Sequence, residues 1–458
     1  MSMLPLTLSE IAASCGGKLI APEGNANLLI TGAVRDSRQV KEGNLFLCLK
    51  GATFDGHDFA SMAYERGAAC CLCEHEIETD KPYILVSSVA DAIRYIAKYY
   101  RNKLNIPIVG IVGSVGKTTA KEMTAAVLAR KYAVLKTPEN LNNELGVPLT
   151  VLSIGTEHTA AVVEMGISDF GEMSRLAEIV RPDLCVVTTI GYCHLENLGD
   201  LNGVLRAKSE VFDYMREDGV AVLNGDDALL REYVPKAKKI TYGLSEGCDY
   251  IGSDIENLGF DGVGCRISHK GGAFKAHVNG FGTHTVSAAL AACAVGKTLG
   301  MEDDDIALGV SDYRTVGGRA NVTDTGYITV IDDCYNANPN SVRAGIDSLT
   351  FVDGNTVAVL GDMLELGEKT KELHYSVGAY AAEKGIPVLV ACGELGKCIY
   401  DGYTSVKPDG KAYYFPDKAE FIANPASVVG KGDTVLVKAS HGMHFEEIVA
   451  ALKKLGVK

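Results

Sequence analysis

Residues 110–119 read Gly110-Ile111-Val112-Gly113-Ser114-Val115-Gly116-Lys117-Thr118-Thr119. They follow an apolar run over residues 106–112 and precede a helix-forming stretch over 120–132. Glycines there let backbone N–H groups curl around phosphate oxygens, and a helix N-terminus adds partial positive charge. Gly113, Ser114, Val115, Gly116, Lys117, Thr118 and Thr119 are therefore candidate triphosphate contacts. Lys117 can reach the terminal phosphates, and the Thr118 hydroxyl suits Mg²⁺. The strict GxxxxGK[ST] pattern fails at Ile111, where its first glycine would stand. A helix-capping turn is the competing reading.

Other residues could serve the same chemistry, each with a blander alternative. Glu164 ends the apolar run 161–164, where ligands collect in open α/β sheets. It is a candidate Mg²⁺ ligand, or a solvated strand-end acid. His194 follows the run 184–188 and could face the same cleft or serve only as a structural histidine. Lys208 reads as a helix-surface lysine, and Asn142 and Asn143 as loop amides.

The elements that would carry these residues indicate an α/β protein of three domains. With 458 residues the chain exceeds one ordinary core. Short apolar runs and turns reach to about residue 85, and a helix over 89–103 leads out. A central domain over 86–319 then alternates buried strands and helices around a mostly parallel sheet, with a Gly-rich, strand-like stretch over 241–280. The alternation restarts near residue 321, with strands near 328–331, 356–360, 388–391 and 434–437, as in a Rossmann-like domain over 320–458.

Composition limits the partners. The net charge of −14 comes without any Lys/Arg-rich run, so nucleic acid is not expected. No stretch is long and apolar enough to span a membrane, and the first residues carry no signal-peptide pattern. Thirteen scattered cysteines suit a reducing cytoplasm. Cys70 and Cys73 form one CxxC without a second pair, so the run 68–73 reads as a buried strand.

Taken together, these anchors resemble the Mur ligase family over nearly the whole chain. They are the glycine loop, Thr137-Pro138-Glu139-Asn140-Leu141-Asn142-Asn143-Glu144, Val163-Glu164-Met165-Gly166, Cys193-His194-Leu195-Glu196, Ala207-Lys208-Ser209-Glu210 and Gly318-Arg319. The resemblance implies ATP and two Mg²⁺ ions as cofactors. Asn142 and Asn143 would lie near nucleotide and metal, Glu164 and His194 would hold metal, and Arg319 would contact phosphates from a hinge. Asp333 would contact the ribose. It further implies that Lys208 is carbamylated, its amine having added CO₂ to become a metal-supporting carboxylate. Thr285 and Ala288 stand after Gly282-Thr283-His284 where the family carries asparagines, which leaves His284 as an adenine-side or merely structural residue.

Within the family, Asp36-Ser37-Arg38 and Asp55-Gly56-His57 look like a UDP-sugar-binding domain over 1–85. Ser37 and Arg38 are its candidate contacts, with a turn as the alternative. The run Asp333-Cys334-Tyr335-Asn336-Ala337-Asn338-Pro339-Asn340-Ser341 resembles the dipeptide-adding members, making Tyr335, Asn336, Asn338 and Ser341 candidate substrate contacts. The implied activity is a monomeric, cytoplasmic, ATP-dependent ligase joining D-alanyl-D-alanine to a UDP-N-acetylmuramoyl-tripeptide, with Lys117, His194 and Lys208 as catalytic residues. A tripeptide-forming or folylpolyglutamate-type ligase and a non-catalytic nucleotide-binding subunit are the alternatives. The folylpolyglutamate type should lack the N-terminal domain, and a non-catalytic subunit should lack Glu164, His194 or Lys208.

Overall fold

The computed structural model describes residues 3–456 apart from 23 and 52. Three main sheets organise it. The first has five strands in the order Lys18–Ile20, Tyr83–Leu85, Ala68–Cys73, Asn44–Leu47 and Gly32–Val34. The cysteine-bearing run is its middle strand, with Cys70, Cys71 and Cys73 all buried, as expected of cysteine acting as a small apolar residue. The helix Val89–Arg101 leaves this sheet and buries Ile93, Ile96 and Tyr100 at helical spacing.

The central sheet has nine strands. Seven run parallel, from Val134–Lys136 at one edge through Ala160–Glu164, Ile108–Val112, Leu184–Val187, Val220–Asn224 and Lys238–Gly243 to Tyr250–Asn257. Two antiparallel strands, Val263–His269 and Gly272–Val278, extend the far edge, accounting for the Gly-rich stretch. The strand Ile108–Val112 lies between Ala160–Glu164 and Leu184–Val187, and all three are wholly buried. A parallel strand covered on both faces has no polar side, hence the unbroken Val/Ile runs. The helix His284–Thr298 packs against Lys117–Leu128 and is buried along most of its length. Its small alanines permit close approach.

The third sheet has six strands in the order Asn321–Asp324, Thr329–Asp332, Thr434–Lys438, Thr356–Gly361, Val388–Cys392 and Lys411–Phe415. Five are parallel, and the first is an antiparallel edge strand that alternation alone did not indicate. Its polar residues give no apolar run to detect.

Candidate functional site

The three buried central strands end side by side, so whatever follows each is delivered to one place. Glu164 is paired in register with Ile111, and Val187 with Val112. After Val112 the chain turns through Gly113 (φ 148°), where a β-carbon would lie 1.9 Å from Thr188 Oγ1. Gly116 (φ 80°) starts the helix Lys117–Leu128 in the left-handed conformation that glycine adopts without strain. The helix N-terminus thereby opens into a cleft of about 680 Å³ with its first N–H groups unclaimed by side chains. Lys117 folds back over the loop and donates to Gly113 O at 2.8 Å. Burial lowers its pKa below the usual lysine value, opposed by the nearby Glu164 carboxylate.

Glu164 is 1% exposed. Its Oε1 accepts from Asn142 Nδ2 at 2.8 Å and lies 3.4 Å from Thr118 Oγ1. Its Oε2 has no hydrogen-bond partner, one of only three such buried side-chain atoms among the described residues. Buried carboxylate oxygens normally find donors. An unpaired one beside a threonine hydroxyl and a phosphate-type loop fits a divalent cation with oxygen ligands. Lys121, which the sequence reading missed, lies 3.7 Å from that oxygen. It is 1% exposed and ties down the 137–139 turn by donating to Thr137 O and Glu139 O. Mid-helix lysines are usually solvated, so no local pattern singles it out.

The two asparagines divide their work. Asn142 orients Glu164, whereas Asn143 turns its side-chain oxygen to the N–H groups of Leu145 and Gly146. Both line the cleft, as does His194. His194 has φ 50°, and its Nδ1 lies 2.6 Å from Glu365 Oε2 in the third domain. Lys208 is 2% exposed on the helix Leu201–Ser209, which removes the solvated-surface reading. Desolvation, with a smaller push from Lys117, lowers its pKa to about 8.

Across the cleft, Arg319 lies with its guanidinium carbon 4.1 Å over the Tyr335 ring. Asp333, at the end of the strand Thr329–Asp332, accepts from Ala320 N and pairs with Lys438 at 2.6 Å. Lys438 is 3% exposed and also donates to Asn336 O. It lines the cleft and was not singled out, because its partner stands 105 residues away. Tyr335, Asn336, Asn338 and Ser341 all line the same wall. Asn338 and Ser341 cap the helix Pro339–Leu349 reciprocally, so much of their hydrogen-bonding capacity is already spent. His284 opens its own helix beside the cleft, and burial lowers its pKa.

The N-terminal candidates lie apart from this cleft. Ser37 is buried with its hydroxyl against Met62 Sδ, and Arg38 is exposed and bound to Asp36 through two of its nitrogens. Asp55, Gly56 and His57 form a structural staple. A β-carbon at Gly56 would lie 2.6 Å from Leu49 N, and His57 bridges Asp55 Oδ1 and Glu74 N.

This combination of a phosphate-type loop, an orphaned strand-end acid and a facing Rossmann-like wall defines a nucleotide-dependent enzyme of three domains. The sequence matches the Mur ligase catalytic domain over residues 29–141, the Mur ligase middle domain over 111–296 and the Mur ligase glutamate ligase domain over 318–441. The chain belongs to the Mur ligase family, whose members are ATP-dependent, ADP-forming amide ligases. It is 35% identical to the UDP-N-acetylmuramoyl-tripeptide--D-alanyl-D-alanine ligase of Bacillus subtilis (strain 168), covering 98% of this chain and 99% of that one. It is also similar to MurF from Acinetobacter baumannii, with TM-score 0.90 and 30% identity over 99% of this chain and 100% of that one. The ADP complex of the MurF ligase from Thermotoga maritima matches with TM-score 0.82 and 30% identity, covering 92% and 97%.

Proposed function

We propose that the protein joins D-alanyl-D-alanine to UDP-N-acetylmuramoyl-tripeptide at the expense of ATP, giving the UDP-linked pentapeptide for peptidoglycan synthesis. The observation that carries this is the end-to-end match to relatives of that name, all three domains included. No helix among the described residues is long and apolar enough to cross a membrane. A cytoplasmic place for the reaction accords with that and with thirteen free cysteines.

A carboxylate is too poor an electrophile to take an amine directly, so it must first gain a leaving group. One terminal carboxylate oxygen of the tripeptide attacks the γ-phosphorus, ADP departs, and an acyl phosphate forms. The free amine of the dipeptide then attacks the acyl carbon, loses a proton, and inorganic phosphate leaves. Lys117 and the loop N–H groups neutralise the transferring phosphoryl charge, and Arg319 adds a fixed cation from the opposite wall. Thr118 and Glu164 are the residues that would hold Mg²⁺, which supplies further neutralisation when bound. His194 and a carbamylated Lys208 would serve a second ion. The buried lysine with its pKa near 8 supports that modification, since CO₂ adds only to the neutral amine. Asp333 with Lys438 would receive the ribose, and Tyr335 and Asn336 the dipeptide side. Domain closure keeps water from the acyl phosphate.

Phosphate release tests the reading. It should require UDP-N-acetylmuramoyl-tripeptide and D-alanyl-D-alanine together. Equal release with the corresponding dipeptide substrate and a free diamino acid would place the chain among the tripeptide-forming members instead.

A further inference from the structure

The turn over residues 137–142 grips Glu164 from two sides. Thr137 Oγ1 accepts from the Glu164 backbone N–H at 2.9 Å, and Asn142 Nδ2 donates to the Glu164 carboxylate at 2.8 Å. Asn142 O also accepts from Gly166 N at 2.8 Å. The middle of the turn is strained. Glu139 has φ 44°, in the left-handed region that a non-glycine residue keeps only when its surroundings hold it. Pro138, just before it, has no N–H with which to fix the backbone.

Support comes from one side chain outside the turn. Lys121 lies on the helix Lys117–Leu128, three residues after Thr118 and so on the same face. Its Nζ donates to Thr137 O at 2.9 Å and to Glu139 O at 3.2 Å, on either side of Pro138. The Glu164 carboxylate, 3.7 Å from Nζ, is beyond hydrogen-bond reach, so the lysine acts on it through the turn. Burying a lysine to 1% exposure costs desolvation that an apolar side chain in the same place would avoid. What an apolar side chain lacks is donors for the two carbonyls. We propose that Lys121 is a positioning residue, holding the 137–142 turn closed on Glu164 so that Asn142 keeps that carboxylate beside the Thr118 hydroxyl. The helix that carries the phosphate-type loop thereby sets the place of the strand-end acid as well. This inference rests on the reading of Glu164 as a site residue.

Amide hydrogen exchange of the free, full-length enzyme reads the turn directly. Lys121→Met keeps the stem and loses the donors. In it the Glu164 and Gly166 N–H groups should exchange at least about tenfold faster, while the amides of residues 122–128 stay as protected as in the wild type. Its kcat should fall about 10- to 100-fold, with KM for ATP within about twofold. Asn142→Ala should lose a similar factor. The double variant should be no more than about threefold worse than the more impaired single one, since both changes cut one path. Should Lys121→Met not fold, Lys121→Gln, which keeps an amide donor on a shorter side chain, is read in the same way. Unchanged exchange at residues 164 and 166, losses that simply multiply in the double variant, or failure of both lysine variants to fold would overturn the positioning role. A fully active Glu164→Ala, together with the faster exchange in Lys121→Met, would instead overturn the functional reading beneath it.

Discussion

The central cleft and the N-terminal domain are both built around short polar motifs, yet their side chains are spent differently. In the cleft, polar groups are left incomplete: Glu164 Oε2 has no donor, and the N-terminal N–H groups of the helix Lys117–Leu128 have no side-chain cap. In the N-terminal domain, Asp36 is consumed by Arg38, and Asp55, His57 and Glu74 complete one another. Unsatisfied buried polar atoms cost free energy that folding alone does not recover. A site that keeps them is built for something that arrives later, whereas a satisfied motif holds up its own turn. The type of residue does not separate these cases; the remaining hydrogen-bonding capacity does.

The most severe way to test the contrast is to remove the cation folded over the glycine loop. Lys117→Ala should lower kcat at least about 1000-fold with an unchanged thermal transition, because the residue acts on phosphate charge outside any core. Retention of most activity would mean that the loop does not cradle the transferring phosphate.

Lys208→Ala comes next, with activity nearly abolished and partly restored by formate or acetate, small carboxylates that can occupy the vacated space. In the wild-type enzyme, reactivation by bicarbonate after dialysis at low pH depends on the neutral amine. With the pKa lowered to about 8, the neutral fraction grows as pH rises through that value. At a fixed concentration of dissolved CO₂, reactivation should thus be roughly eightfold faster at pH 8.5 than at pH 7. A pH-independent rate, or a fully active alanine variant, would return this lysine to a packing role.

Glu164→Gln should raise the Mg²⁺ concentration for half-maximal activity at least about tenfold, since the orphaned oxygen no longer bears charge. Titration of phosphate release against Mg²⁺ reads this directly. An unshifted midpoint would leave Oε2 without a ligand to explain it.

The N-terminal domain should answer in a different currency. His57→Ala should cost about 1–3 kcal/mol of stability by leaving the Glu74 N–H without its acceptor, while the KM for ATP stays put. Urea denaturation and ATP kinetics together would check it. Arg38→Ala should leave the urea midpoint unchanged and alter only the KM for the UDP-substrate. Should that KM stay at the wild-type value, Asp36-Ser37-Arg38 is a turn and nothing more.

The placement of much of the candidate site could be read from residue order because it is local to strand ends. The glycine loop, Glu164 and His194 each follow an apolar run, and parallel sheets bring such ends together. Other members were hidden for a stateable reason. Lys121 and Lys438 are buried lysines whose partners lie on other elements, and a lysine in a helix or at a strand end looks solvated until the packing is known. Asn338 and Ser341 were visible, but their reciprocal helix cap was not part of the substrate reading. Glu365 has no local signal of its own, and its contact with His194 joins strand ends of two different sheets.

By itself, then, residue order indicated the α/β class, most of the buried parallel strands and the glycine loop ahead of its helix, because apolar periodicity and glycine turns act over a few residues. Tertiary structure decided which polar atoms remain unpaired, which lysines are dry and which histidine nitrogen faces a carboxylate. Those outcomes depend on burial and on partners tens to more than a hundred residues away, and no spacing along the chain encodes them.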